Sequence, residues 1–299
     1  MKIKSILKSY FELTIKNTLS LFSVFIMVFF SDNAYATHAE GADITYKCLG
    51  GNQYEITLAF YRDCQGISAP SNPIINCKSI TLGKDFNLQL TPIPGTGQEI
   101  SPVCTGLKTK CQGGTYPGVQ EWIYKGVVTL NAAIDWVFSY DLCCRNDAIT
   151  TINAPGNQNI HIESTLDNLN FPCNSSPIFT VKPIPFVCIG QFFSFNHGAA
   201  DADGDFLSYE LITPMNGYGT TVTYLNPYTK DVPITSSPAL AFDTLSGSLS
   251  MTPTAMEVTI FAVKVKQWKN NRLVGYVIRD IQVRVINCNN SYPYSFGIN

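Results

Sequence analysis

The sequence predicts an all-β protein: two β-sandwich domains in tandem, stapled by disulfides and preceded by a cleaved export signal. Three observations carry that expectation. Apolar and polar residues alternate with a period of two along much of the chain. Ten cysteines lie beyond the first 36 residues. Those 36 residues have the three-part layout of a secretory signal.

The signal comes first in order. Lys2, Lys4, Lys8 and Lys16 form a positive start, and Leu19 to Phe30 is an almost wholly apolar run of twelve residues. Ala34-Tyr35-Ala36 supplies the small residues that a signal peptidase needs, so cleavage is expected after Ala36. The run falls short of the roughly 20 residues that span a bilayer, which argues against an uncleaved anchor. No later segment is apolar enough to span, so the mature chain is expected to be soluble or surface-bound. Removing the signal takes away four Lys, Glu12 and Asp32, and leaves 16 basic and 20 acidic residues. A mildly acidic chain with no basic run makes nucleic acid an unsuitable partner. Charged residues are 14% of the chain, against a usual value of about 25%. Thr, Asn, Ser, Tyr and Phe take their place, a composition suited to strands and polar loops that meet other surfaces.

The strands follow from the alternation. Tyr54, Ile56, Leu58 and Phe60 share one face of the run Gln53 to Arg62, and Trp136, Phe138, Tyr140 and Leu142 share one face of the next. Phe261, Val263 and Val265 point inward with Lys264 and Lys266 outward; Ile281, Val283 and Val285 repeat the scheme with Gln282 and Arg284 outward. Period two over such runs marks half-buried antiparallel strands. Gly50-Gly51-Asn52, Pro94-Gly95-Thr96-Gly97, Gly113-Gly114, Pro155-Gly156-Asn157 and Lys269-Asn270-Asn271 separate them as turns. Pro172 to Pro177 breaks the pattern. The expected organisation is a signal at 1–36, a cysteine-rich β-sandwich at 37–173, a second sandwich at 174–288 and a loose tail at 289–299.

Cys48, Cys64, Cys77, Cys104, Cys111, Cys143, Cys144, Cys173, Cys188 and Cys288 are even in number and lie behind an export signal, so five disulfides are expected. Zinc is disfavoured, because there is no Cys-x-x-Cys and no His at ligand spacing. Neighbouring strand residues point to opposite faces, so Cys143 and Cys144 are expected to bond to different partners. Cys188 and Cys288 sit near the two ends of the second domain, where a bond between them would close a long loop.

The sharpest local feature is Asp201-Ala202-Asp203-Gly204-Asp205. Three carboxylates at alternating positions repel one another, and a hard cation such as Ca²⁺ relieves that repulsion. The loop is not an EF-hand, which needs Gly at its sixth position and Glu at its twelfth; Phe206 and Ile212 stand there. The plain alternative is a turn of solvated acids. If Ca²⁺ binds, the remaining ligands come from carbonyls, water, or a side chain such as Asn174 brought in by the linker.

Wider resemblances surround these residues. Asn174-Ser-Ser-Pro177-Ile-Phe179, Ala200-Asp201-Ala-Asp203-Gly-Asp205-Phe-Leu207-Ser-Tyr209-Glu-Leu211 and Phe242-Asp-Thr-Leu-Ser-Gly247-Ser-Leu249-Ser-Met-Thr252-Pro253-Thr254 resemble the cadherin-like, dystroglycan-type group of bacterial Ig-like domains. That resemblance implies an Ig-like fold for the second domain and Ca²⁺ on Asp201, Asp203 and Asp205. One departure is Ser246-Gly247, where the group has Thr-Gly. Thr37 to Leu58, Tyr61-Arg62-Asp63-Cys64, Cys143-Cys144-Arg145-Asn146 and Arg279-Asp280-Ile281-Gln282-Val283 resemble the N-terminal region of gliding-motility-associated, type IX-secreted surface proteins of Bacteroidetes. Such proteins usually continue into further Ig-like repeats and a sorting domain. This chain ends eleven residues after Cys288, which leaves release or periplasmic retention open beside surface attachment.

Catalysis is not expected. The histidines are His38, His161 and His197, and no Gly-x-Ser-x-Gly, His-Glu-x-x-His or P-loop occurs. Arg62-Asp63 and Arg145-Asn146 suit buried ion pairs or backbone hydrogen bonds. Trp122, Trp136 and Trp268 suit core packing, although exposure of Trp122 with Tyr124 would make a sugar-stacking surface. The expected function is a structural or adhesive module outside the cytoplasm, stabilised by Ca²⁺, whose partners are other surface proteins or glycans; the alternative is a carbohydrate-binding module.

Overall fold

Twenty strands follow the alternation, in a computed structural model that describes residues 39–103 and 106–288. The predicted signal, Cys104 and the tail 289–299 lie outside the described residues. The first half contains β1 (Ala39–Gly50), β2 (Gln53–Asp63), β3 (Ile74–Ser79), β4 (Lys84–Gln89), β5 (Thr91–Pro92), β6 (Gln98–Glu99), β7 (Val119–Thr129), β8 (Trp136–Leu142) and β9 (Ile160–Leu166). The second contains β10 (Ile178–Phe179), β11 (Phe186–Cys188), β12 (Phe193–Asn196), β13 (Ala199–Ala200), β14 (Phe206–Ile212), β15 (Met215–Gly217), β16 (Thr220–Thr221), β17 (Ala241–Phe242), β18 (Ser248–Met251), β19 (Val258–Lys269) and β20 (Arg272–Ile286). Among the described residues, helix is limited to single 3₁₀ turns at Lys110–Gln112 and Pro155–Asn157. The all-β expectation is met.

The strand order β4-β3-β8-β9-β20-β1-β2-β7-β5 curls back on itself, because β5 continues the chain of β4 after one residue. The nearly closed sheet wraps a core of Ile44, Tyr46, Tyr54, Ile56, Leu58, Trp136, Phe138, Ile162 and Leu166, all buried. These are the period-two faces of their strands. The second half has two layers. β12, β18 and β17 form a three-stranded sheet, and Phe195, Leu249 and Met251 from it pack on Val187, Phe261, Ile281, Val283 and Val285 of β11, β19 and β20. The two main cores draw on residues 39–166 and 184–285, and one sheet runs through both.

β20 is the shared element. It pairs with β19 from Lys269↔Arg272 to Val258↔Arg284. Its other edge meets β9 at Val277, then β1 at Arg279–Ile281, then β11, in parallel, at Phe186↔Arg284 to Cys188↔Ile286. Gly41 permits the approach of β1: a Cβ there would lie 2.2 Å from the Asp280 carbonyl oxygen, and φ is +151°. With both faces of β20 covered, the expectation that Gln282 and Arg284 face solvent is corrected. Gln282 is buried and donates to Glu40 (2.9 Å), while Arg284 reaches both Glu40 (2.8 Å) and Asp63 (2.7 Å). Alternation alone could not show that a second structural layer covers the polar face.

The cysteines need two corrections. Four disulfides form among the described residues: Cys48–Cys173, Cys64–Cys111, Cys143–Cys144 and Cys188–Cys288. Cys143 and Cys144 bond to each other and not to separate partners. β8 ends at Leu142, so the pair lies beyond the strand and alternation does not govern it. Cys77 is a free thiol, wholly buried on the inward face of β3. It packs as a small apolar side chain, and burial raises its thiol pKa to about 12. The Cys188–Cys288 bond is the long loop closure expected.

Candidate metal site at the acidic loop

The acidic loop is built on Asp201. Its Oδ1 accepts the backbone N–H groups of Asp203 (2.9 Å) and Asp205 (3.0 Å), which closes the turn through Gly204 in a left-handed conformation. The carboxyl is partly buried, and that desolvation, with the charges of Asp205 and Asp203, raises its pKa against the pull of the two N–H donors.

The linker meets this turn from the other side. Cys173 is bonded to Cys48 on β1, and Ser176 exchanges hydrogen bonds with Tyr46 through Tyr46 N–H to Ser176 Oγ (2.8 Å) and Ser176 N–H to Tyr46 O (2.9 Å). Between these anchors Ser175 N–H donates to Asp203 Oδ2 (2.7 Å). Asn174, 3% exposed, donates from Nδ2 to Ser175 O (2.8 Å). All four candidate residues therefore belong to one assembly, in which Asp203 accepts from Ser175 while Asp201 and Asp205 share the Gln267 amide.

Two contributors were not singled out in the sequence. Gln267, fully buried on β19, places Nε2 2.8 Å from Asp201 Oδ2, 2.9 Å from Asp205 Oδ2 and 3.0 Å from Ser175 O. Lys269 lies 3.3 Å from Asp205 Oδ1. Gln267 was legible in principle: it takes the inward register after Val263 and Val265, where an amide must find partners.

The site's polar inventory tests its fit to a hard cation. Three oxygens surround one amide nitrogen that has only two hydrogens. Gln267 Oε1 and Asn174 Oδ1 are buried without a hydrogen-bond partner. A cation among these oxygens, with the Gln267 amide rotated to present Oε1, would satisfy the surplus acceptors. Among the described residues no three His, Cys, Asp or Glu side chains form a metal-binding group by themselves. A cation here would therefore draw on amide and backbone oxygens as well, which suits Ca²⁺.

The other candidate residues fall elsewhere. Arg145 makes a bidentate pair with Asp280 (3.0 and 2.6 Å), and Asp63 pairs with Arg284. Arg62 donates to the backbone oxygens of Ile67 (2.5 Å) and Gly66 (2.6 Å). His197 follows β12, fully buried against the Phe195 ring, and burial lowers its pKa to about 3. His161 lies between Asp141 (2.7 Å at Nδ1) and Glu163 (3.3 Å at Nε2), and Tyr276 donates to Glu163. Burial opposes the imidazolium, but the hydrogen bonds to Asp141 and Glu163 prevail and raise its pKa to about 9. Trp136 and Tyr124 are buried, and a Cβ at Gly97 would lie 2.8 Å from the Trp122 ring. A flat Trp122–Tyr124 sugar platform is therefore not presented.

Comparison with known proteins gives no match to any family model, curated protein or solved structure. The all-β class and the site stand on the molecule's own geometry. Its disulfides fit an oxidising, exported setting, and no helix among the described residues is long and apolar enough to cross a membrane.

Proposed function

We propose that this chain is an exported, non-catalytic module with a structural or adhesive role at the cell surface or in the extracellular space, and that Ca²⁺ on the Asp201–Asp205 loop stiffens it. The observation carrying this reading is the surplus of oxygens around Gln267 Nε2, with the orphaned Oε1 and Asn174 Oδ1 beside it. Asp201, Asp203, Asp205 and Asn174 would hold the ion, with help from Gln267 and Ser175 O. Its chemistry there is charge neutralisation and cross-linking. The assembly joins the end of β1, the linker and β19, so ion binding resists motion between the halves. The cadherin-like motifs around Asp201 and Gly247 support the same assignment. Gly247, at φ +70°, would drive a Cβ to 2.5 Å from the Tyr209 ring, so this turn demands glycine. The first-half motifs support a place among Bacteroidetes surface proteins. The commitment of both His161 nitrogens to carboxylates supports a non-catalytic role.

Calorimetric titration tests the ion. For extracellular sites affinities are on the order of 10⁻⁴ to 10⁻³ M. At about 10 mM Ca²⁺ and a Kd of about 1 mM, linkage adds about 1.4 kcal/mol of stability. Asp201→Asn should abolish both the heat and the rise in Tm. A wild-type protein that shows no heat in the millimolar range, and the same Tm in chelator, overturns the calcium reading.

A further inference from the structure

Beside the acidic loop lies a cleft of about 440 Å³, formed by the 170–174 loop, Asp203 and the β19–β20 turn. Its walls are fixed. Cys173 is bonded to Cys48, and Asn170 is clamped to Asp167 through its backbone N–H (2.9 Å) and Nδ2 (2.7 Å). Arg272 sits over the Phe171 ring, 5.2 Å from its centroid, and Lys269 is drawn to Asp205. Asn270 and Asn271 hold the turn in left-handed conformations. We propose that this cleft is an oligosaccharide-binding site, and that glycan is the ligand of the adhesive module.

The proposal deepens the adhesive reading and rests on it. The lining decides the ligand class. Donors (Lys269, Arg272) face an acceptor (Asp203), and the amides of Asn170 and Asn270 offer both functions. Sugar hydroxyls also donate and accept, so neighbouring hydroxyls can bridge such mixed groups. Beside the Ca²⁺ proposed at Asp201–Asp205, the rest of the lining mixes Lys269 and Arg272 with neutral amides, so it suits an uncharged ligand rich in hydroxyls better than a second small ion of either sign. A peptide would find only Phe171 and Pro172 as apolar anchors, where peptide recognition relies on apolar pockets. The volume falls in the range of small-molecule sites. The exposed face of Arg272 stacked on Phe171 gives a polar-edged platform for a sugar ring.

The test is calorimetric and NMR titration of the mature protein with maltotriose, cellotetraose, chitotriose, xylotetraose and N-acetyllactosamine, each to 10 mM. At least one should bind, with shifts confined to residues 170–174 and 269–272. Arg272→Ala at the exposed start of β20 and Asn270→Gly in the exposed turn before it should each weaken it about tenfold with little change in Tm. Absence of binding by all five, or binding unmoved by both substitutions, overturns the proposal. Adhesion of protein-coated beads to bacterial or host cells separates the two readings. Adhesion that persists when no sugar binds removes the glycan inference and leaves the adhesive module intact; loss of adhesion together with sugar binding removes both.

Discussion

The barrel core and the seam along β20 solve the same problem with opposite chemistry. The interior of the nearly closed sheet around Ile44, Ile56, Leu58 and Phe138 is apolar and aromatic, and its core residues all lie between Ala39 and Leu166. The seam joins residues far apart in the chain and is charged. Arg279 meets Asp43 (2.8 Å) and Tyr61 (3.1 Å), Arg145 meets Asp280, and Arg284 meets Glu40 and Asp63. Apolar contact is non-directional and would tolerate a shift of β20 along β1. Directional guanidinium–carboxylate contacts, of which Arg145–Asp280 is bidentate, hold only in one register. The contrast suggests that the core supplies stability and the seam supplies the docking geometry of a long, late-arriving strand.

Removing the covalent lock at the end of the seam should have the largest effect. Cys188→Ser with Cys288→Ser opens a closure spanning 100 residues. The chain-entropy model values such a loop at about 4 to 5 kcal/mol, to be read from the denaturant midpoint at constant m-value. A loss below about 1 kcal/mol would mean that the ion pairs alone hold β20.

Next come substitutions that set core against seam. Arg145→Ala leaves Asp280 buried without its partner and should cost about 3 to 5 kcal/mol. Arg145→Met with Asp280→Leu should recover most of that loss, because the charges specify register more than they stabilise. Leu58→Ala in the barrel should cost about 2 to 5 kcal/mol, and here no second truncation restores it. If the Met/Leu pair is as unstable as Arg145→Ala, the seam supplies stability outright and the contrast fails.

The same contrast explains what the sequence could and could not show. The inward faces of β2, β8 and β19 were legible because one side of each strand is apolar. β20 was misread at Gln282 and Arg284 because its polar side is buried against Glu40 and Asp63, and no local pattern reveals a distant partner. Asp201, Asp203 and Asp205 were legible by repulsion, and Asn174 by its place in the linker. Gln267 is marked by its inward register after Val263 and Val265, but the register alone does not say which partners, here Ser175, Asp201 and Asp205, the buried amide meets. An even cysteine count implies a disulfide for Cys77, but composition does not distinguish a packed thiol from a bonded one.

A smaller effect concerns Glu40. Burial raises its carboxyl pKa to about 7 despite Arg284, whose guanidinium is shared with Asp63. A carboxyl raised in the folded state gives its stability below its unfolded pKa and loses it as pH rises through about 7. Glu40→Gln should flatten the decline between pH 4.5 and 7, and the variant should equal or exceed the wild type at pH 8, by about 1 to 3 kcal/mol. A wild-type profile that stays flat from pH 5 to 8 would show that Arg284 keeps Glu40 ionised throughout.

The smallest effect lies outside the seam, at His161, and sharpens the contrast from the other side. Its imidazolium is flanked by Glu163, which is buried, and by Asp141, whose side chain is 56% exposed. With a folded pKa near 9, the histidine contributes fully below pH 6.5 and loses its contribution as pH rises through about 9. His161→Asn should therefore destabilise at pH 6 and lose that disadvantage by pH 9.5. The expected change is on the order of 1 to 2 kcal/mol after allowing for solvent around Asp141. Salt separates the two kinds of charge. Raising ionic strength to 1 M shrinks the screening length to about 3 Å, which should weaken the His161–Asp141 contact and leave the buried Arg145–Asp280 pair almost unchanged. The comparison is then a ratio: the cost of His161→Asn at pH 6 should fall with salt, while the cost of Arg145→Ala should hold. Equal salt sensitivity at the two sites would mean that water reaches the seam, and its charges would then be ordinary surface pairs with no hold on the register of β20.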